Sequence, residues 1–203
     1  MRMRGVHAQP SGNVRGFSAS AADPPREGAR APRMYKQQLL EAARRSGSDL
    51  AHVGKEGLGP AGASAGRVVA TVTVRNPACG DQVRFDLAAR EVAAGVGEGR
   101  WRVEAAWHDP RGCVVCQASS QLLREAAVGM ELRELSGAVE AAGPVLDGAA
   151  AGGGGSASFA SFRLFHDCGA VGSGRRHCAI LPLEAAAQAA ARALESVYEQ
   201  DPS

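Results

Sequence analysis

Three short stretches hold the residues with chemistry to offer: Asn76-Pro77-Ala78-Cys79-Gly80-Asp81, Gly112-Cys113-Val114-Val115-Cys116-Gln117-Ala118-Ser119 and Arg175-Arg176-His177-Cys178-Ala179-Ile180-Leu181. Soft thiolates, an imidazole and a carboxylate gathered from three parts of one chain suit a metal or iron–sulfur site. Pro77 fixes φ and Gly80 permits a tight turn, so Cys79 should stand at the end of a sheet with its sulfur exposed. Asp81, two residues on, can add an oxygen ligand or exchange with a thiolate. Cys113 should open a helix, where free backbone N–H groups and the positive end of the dipole favour an anionic sulfur. His177 and Cys178 are neighbours, and can share one ion only where the backbone is irregular. Intervals of 34 residues from Cys79 to Cys113 and 65 from Cys113 to Cys178 match no zinc finger, which would use close pairs. The ligands must therefore converge through the tertiary fold. Spacing alone leaves a second reading open, in which these are ordinary buried or incidental cysteines.

The elements that must position them are legible. Val68, Ala70, Val72 and Val74 alternate with Thr71, Thr73 and Arg75, and Val83, Phe85 and Leu87 alternate with Arg84, Asp86 and Ala88. After the turn at Gly95–Gly99, Trp101, Val103, Ala105 and Trp107 alternate with Arg102, Glu104 and His108. Period-two alternation predicts a three-stranded antiparallel meander with one face covered by helices, an α+β fold. Helices are expected over Tyr35–Arg45, Cys113–Ala127 and Leu132–Ala142, the last closed by Gly143-Pro144, with a final helix opened by Pro182 and running to Tyr198. Ser46–Gly66 reads as a loop, Asp147–Ser158 as a glycine-alanine linker, and Phe159–Phe165 as a short hydrophobic helix or turn.

Composition bounds the rest. The chain has 203 residues, 45% of them hydrophobic but only 4% aromatic, which predicts one domain with a small core. No run approaches a membrane span, so a soluble protein is expected. A net charge of +2 argues against a nucleic-acid binder. Five cysteines leave one over from any disulfide set, which favours reduced thiols kept for metal or sulfur chemistry. Residues 1–34 hold six arginines against Asp23 and Glu27, the composition of a disordered organelle transit peptide. That reading puts the protein in the mitochondrial matrix, and without a real leader in a bacterial cytoplasm. Residues 35–203 then form the working domain, with its Gly/Ala-rich loop at 147–158.

Taken together, the Asn-Pro-x-Cys-Gly-Asp turn, the Gly-Cys helix start followed by Ala118-Ser119, and a late cysteine before the last helix resemble the U-type iron–sulfur cluster assembly scaffolds (IscU, SufU and the N-terminal domain of NifU). The resemblance covers about Tyr35 to Glu199 in order. It implies an IscU/SufE-like fold and an assembly site of Cys79, Asp81, Cys113 and Cys178, with His177 as in the IscU branch. It also implies ferrous iron and a [2Fe–2S] cluster as cargo, with Cys113 as a candidate persulfide acceptor. The implied partners are a cysteine desulfurase and apo iron–sulfur acceptor or carrier proteins, with a homodimer left open. Such a protein is a scaffold rather than an enzyme.

The alternative is a zinc-bound sulfurtransferase of the SufU kind, because Zn2+ accepts the same ligands. Cys178-Ala179-Ile180-Leu181-Pro182 and the long interval before it look like SufU, while His177 looks like IscU. The family's Leu-Pro-Pro-Val-Lys stretch is replaced by Val171–Arg176, so chaperone-driven release through that motif is not expected. Ser48–Gly66 stands where an early Pro-Arg-Asn segment is usual. Cys116 is an addition to the common pattern, and could be an extra ligand, a persulfide relay, a redox partner of Cys113, or a small buried residue. Cys168 reads as incidental, His108 and His166 as surface polar groups, and His7 and His52 carry no signal.

Overall fold

Valine-rich alternation, with turn residues between runs, folds here into a four-stranded antiparallel meander in the order β1-β2-β3-β4. The strands are β1 (Gly62–Ser64), β2 (Arg67–Arg75), β3 (Gln82–Val92) and β4 (Arg100–Arg111). β2 to β4 are the three expected strands, and β1 is a short addition at the edge, inside the segment read as a loop. The computed structural model describes residues 31–48, 58, 61–64, 66–92, 100–150, 154–172 and 174–200. The expected leader lies outside the described residues up to position 30, while its last four positions open the first helix.

That helix, α1 (Ala31–Ser48), is followed after the sheet by α2 (Val114–Ala127), α3 (Leu132–Ser136), α4 (Ala138–Leu146), a 3-10 segment (Gly154–Phe162), α5 (Arg163–Asp167) and α6 (Arg176–Gln200). α6 lies against β2 and β3, α2 against β4 and α6, and α1 against α2. The inward sides of these helices meet Val68, Ala70, Val72, Val83, Phe85 and Leu87 in one apolar core. Phe159, Phe162 and Phe165 recur every third residue, so the 3-10 turn and α5 bring them onto one side. All three are fully buried, with ring centroids 5.9 and 5.8 Å apart in succession.

Four sequence expectations need correction. The helix expected over Leu132–Ala142 is two helices, broken at Gly137 (φ −94°, ψ 18°), and Gly143-Pro144 lies inside the second rather than closing it. The linker expected at 147–158 already forms the 3-10 segment from Gly154, which the buried phenylalanines anchor. The last helix starts at Arg176, with Pro182 inside it, so His177 and Cys178 belong to its first turn. Pro182 has no N–H to give the carbonyl of Cys178, a loss that is cheapest near a helix start.

The fourth correction concerns β4. Ala88 pairs with Ala105 but Ala89 pairs with Val103, so Glu104 is an extra residue and the strand carries a bulge. A bulge reverses the alternation beyond it. Trp101 and Val103 face the helices as expected, but from Ala105 onward the two faces exchange. Trp107 joins Leu58, Val69 and Ala88 in a small cluster on the other face. His108, expected at the surface, is buried on the helical side, where its Nε2 lies 3.0 Å from Oγ of Ser46 on α1.

Candidate metal and cluster site

The turn between β2 and β3 is built by its own polar groups. Asn76 Oδ1 accepts from the Ala78 N–H at 2.9 Å, the Gly80 N–H donates to the Asn76 carbonyl at 2.9 Å, and the Asn76 N–H donates to the Asp81 carbonyl at 2.8 Å. Gly80 takes φ +78°, which costs glycine nothing. These bonds present Cys79 to solvent while turning Asp81 inward, where it is buried. Asp81 Oδ2 has no hydrogen-bond partner among the described residues. A buried carboxylate oxygen left in that condition is costly unless a cation or proton satisfies it.

β4 then delivers Cys113. Gly112 follows the strand and Cys113 caps α2 with an extended backbone (φ −68°, ψ 167°), its sulfur exposed. Gln117 Nε2 donates to the Gly112 carbonyl at 3.0 Å, closing the turn into the helix. α6 contributes Cys178 from its first turn, and two contacts fix that turn. Ser119 Oγ, fully buried on α2, donates to the Ala179 carbonyl at 2.6 Å. Arg176 donates from Nε and an Nη to the two oxygens of Asp147, both at 2.8 Å, tying the start of α6 to the end of α4.

As a result, the ligand atoms of Cys79, Asp81 and Cys178 all lie within 4.8 Å of one another, and the sulfurs of Cys79 and Cys178 are 3.9 Å apart. The Cys178 thiol is pushed well above its ordinary range by burial first, then by Cys113, with Asp81 and Cys79 adding to it. Crowded anionic donors repel one another, and a bound cation reverses that balance by displacing the thiol protons. The N-cap of α2 supplies Cys113 and the first turn of α6 supplies Cys178, so two helix starts border the group.

Of the residues singled out in the sequence, Cys79, Asp81 and Cys178 are brought together and Cys113 stands beside Cys178. His177 is exposed and falls outside the close group. Its neighbour Cys178 points inward, and adjacent helical residues diverge by about 100°, so the irregular backbone that joint ligation requires is absent here. Cys116 is fully buried below Cys113, with burial and then Asp81, Cys113 and Cys79 pushing its thiol up. Cys168 is buried away from the site, 3.6 Å from the Phe165 carbonyl. Sequence reading did not assign Gly112 or Ser119 a purpose, although both stand in the quoted motifs. Arg176 with Asp147 left no sequence signal, because the pair joins two elements 29 residues apart.

The described residues thus form an α+β fold that gathers thiols and a carboxylate at one end of its sheet. The family model of the NifU-like N-terminal domain matches residues 57–197, and the chain belongs to that family. Membership supports a role in iron–sulfur cluster assembly. Among solved structures, a hypothetical protein shares the fold at a TM-score of 0.51 and 16% identity, covering 79% of this chain and 98% of that one. The N-terminal NifU-like protein of Brucella abortus is similar at 23% identity and a TM-score of 0.49, covering 82% and 96%. A Fervidobacterium islandicum protein described as an iron–sulfur cluster assembly scaffold for the SUF system is similar at 19% identity and a TM-score of 0.43, covering 60% and 79%. No curated protein matches the sequence.

Proposed function

We propose that this protein is a scaffold on which iron and sulfide are assembled into a [2Fe–2S] cluster that is then passed to apo-proteins. The observation that carries the reading is the cluster of Cys79, Asp81 and Cys178 ligand atoms within 4.8 Å, with the unsatisfied Asp81 oxygen among them. Cys113 completes a set of three sulfurs and one oxygen. A hard carboxylate oxygen binds iron–sulfur cargo less firmly than a fourth thiolate would, which suits a carrier that must release.

Sulfur arrives as a persulfide on a cysteine desulfurase. The exposed Cys113 sulfur attacks the terminal sulfur of that persulfide; the donor's S–S bond breaks, its thiolate leaves, and a new S–S bond forms on Cys113. Reducing the carried sulfur to sulfide takes two electrons from an external reductant. With Zn2+ held by the same donors, the chain would stop at sulfur transfer, the alternative activity.

Anaerobic incubation of the full chain with ferrous iron, cysteine and a desulfurase separates the two. Matching iron and sulfide with a [2Fe–2S] absorption spectrum is the expected result. Tightly held zinc, no chromophore and persulfide on Cys113 would replace this reading with sulfur transfer.

A further inference from the structure

The sheet's contributions to the site all leave it from one rung. Arg75 of β2 lies opposite Gln82 of β3, which lies opposite Arg111 of β4. Arg75 precedes the Cys79 turn, Gln82 follows Asp81, and Arg111 precedes Gly112-Cys113. Directly opposed residues of an antiparallel sheet share a face. The adjoining rung of Val74 and Val83 packs in the apolar core, so Arg75 and Arg111 stand on the face turned away from the helices. From the helical layer, Arg175 stands three residues before Cys178, and its carbonyl accepts the Cys178 N–H at 3.0 Å. Arg75 and Arg175 are both exposed.

The cations around the site are not equivalent. Arg111 is paired with Asp109 at 3.4 Å and Arg176 with Asp147 at 2.8 Å. Arg75 donates to the neutral Gln82 Oε1 at 2.8 Å, and neither Arg75 nor Arg175 has an acidic partner among the described residues. Two uncompensated charges therefore flank Cys79 and Cys178, the sulfurs 3.9 Å apart. Cys113, where sulfur is taken up, is rooted instead beside the neutralised Arg111–Asp109 pair. We propose that Arg75 and Arg175 are a two-point docking rim for an acidic patch on the acceptor apo-protein, which meets the cargo on its Cys79–Cys178 side. Guanidinium groups match partner carboxylates in charge and in bidentate geometry. Such complementarity acts mainly on the encounter rate and on orientation. This inference rests on the cluster-carrier reading of the proposed function.

The probe is an acidic apo-ferredoxin of the [2Fe–2S] class, mixed anaerobically with the full-length chain after its reconstitution with iron and sulfide, and transfer is followed by circular dichroism. Arg75→Gln with Arg175→Gln is compared with Arg90→Gln with Arg102→Gln. The second pair removes the same charge from the far end of the sheet, where both arginines are exposed. The rim variant should load as much iron and sulfide as wild type yet transfer about tenfold more slowly at low salt, with the difference lost at about 0.5 M salt. The far-end variant should transfer at the wild-type rate. Transfer as fast in the rim variant as in wild type, or equally slowed in both variants, overturns the docking rim and leaves the scaffold standing. Reduced loading of the rim variant, or slowing that persists at high salt, would show that the arginines act on the ligands and overturns the rim too. Wild-type protein that takes up no cluster overturns both readings.

Discussion

A Cβ placed on Gly112 would stand 2.6 Å from Cγ of Asp81 and 2.9 Å from each of its carboxylate oxygens. The bare side of this glycine is thus the seat of the one oxygen donor in the site. Asp81 cannot easily retreat, because the Asn76 turn holds its backbone through the 2.8 Å bond to its carbonyl. Gly112→Ala is therefore expected to cost about 1–3 kcal/mol of stability, the usual range for overpacking. It should weaken cation binding more than Gly80→Ala does, since a Cβ at Gly80 would meet open space and strain only the φ +78° turn. Thermal melts and cobalt titration of the two variants check this.

Ser119→Ala removes the 2.6 Å bond that ties α2 to the first turn of α6. The loss should be about 1 kcal/mol, the net worth of one neutral hydrogen bond. For a chain of this size that lowers Tm by about 2–4 °C. Because the bonded carbonyl belongs to the residue after Cys178, metal affinity should fall along with stability. A melt that falls with unchanged cobalt affinity would show that Cys178 is positioned independently of this bond.

Arg176 holds the Asp147 carboxyl below the ordinary aspartate range, mainly through its hydrogen bonds. A depressed folded-state pKa stabilises above the unfolded value, and that contribution disappears as pH falls through the lower folded value. Both side chains are about half exposed, 42% and 55%, so solvent screening limits the pair to about 0.2–1 kcal/mol. Asp147→Asn should thus be slightly destabilising at neutral pH and progressively less so as the pH falls below the ordinary aspartate range, toward pH ~2. Urea unfolding at both pH values, in low and high salt, measures the difference.

Ser46→Ala should cost about 1 kcal/mol, the net worth of the hydrogen bond between the Ser46 hydroxyl and the buried His108 Nε2. Gln37→Ala breaks only an exposed helical pair with Glu41 and should stay within about 0.5 kcal/mol of wild type. Equal effects in chemical denaturation would mean that α1 is not fastened to β4 through His108.

Much of this arrangement could be read from residue types. The β-branched alternation of β2 and β3 needed no tertiary information, and turn chemistry placed Cys79 outward with Asp81 beside it. Cys113 could be placed at a helix start because a strand, a glycine and then a helical period follow in order. Other features had no local signature. One extra residue, Glu104, exchanges the faces of β4 beyond it, so Trp107 and His108 end on the sides opposite to those their alternation implied. Pro182 resembled a helix opener because proline suits a first turn, but the packed apolar side of α6 carries the helix back to Arg176. That extension is what separates His177 from Cys178 in direction. Contacts made only by convergence, Gly112 with Asp81 and Ser119 with Ala179, exist in no single stretch of sequence.

The central claim is that sulfurs from three distant segments hold one cargo together. Cys79→Ala, Cys113→Ala, Cys178→Ala and Cys168→Ala are compared by anaerobic reconstitution of the full-length chain with iron and sulfide, followed by absorption spectra and iron and sulfide counts. Loss of the cluster in each of the first three, with Cys168→Ala indistinguishable from wild type, is the expected result. A full cluster retained after loss of Cys79, Cys113 or Cys178, or one lost equally with Cys168, would contradict the account.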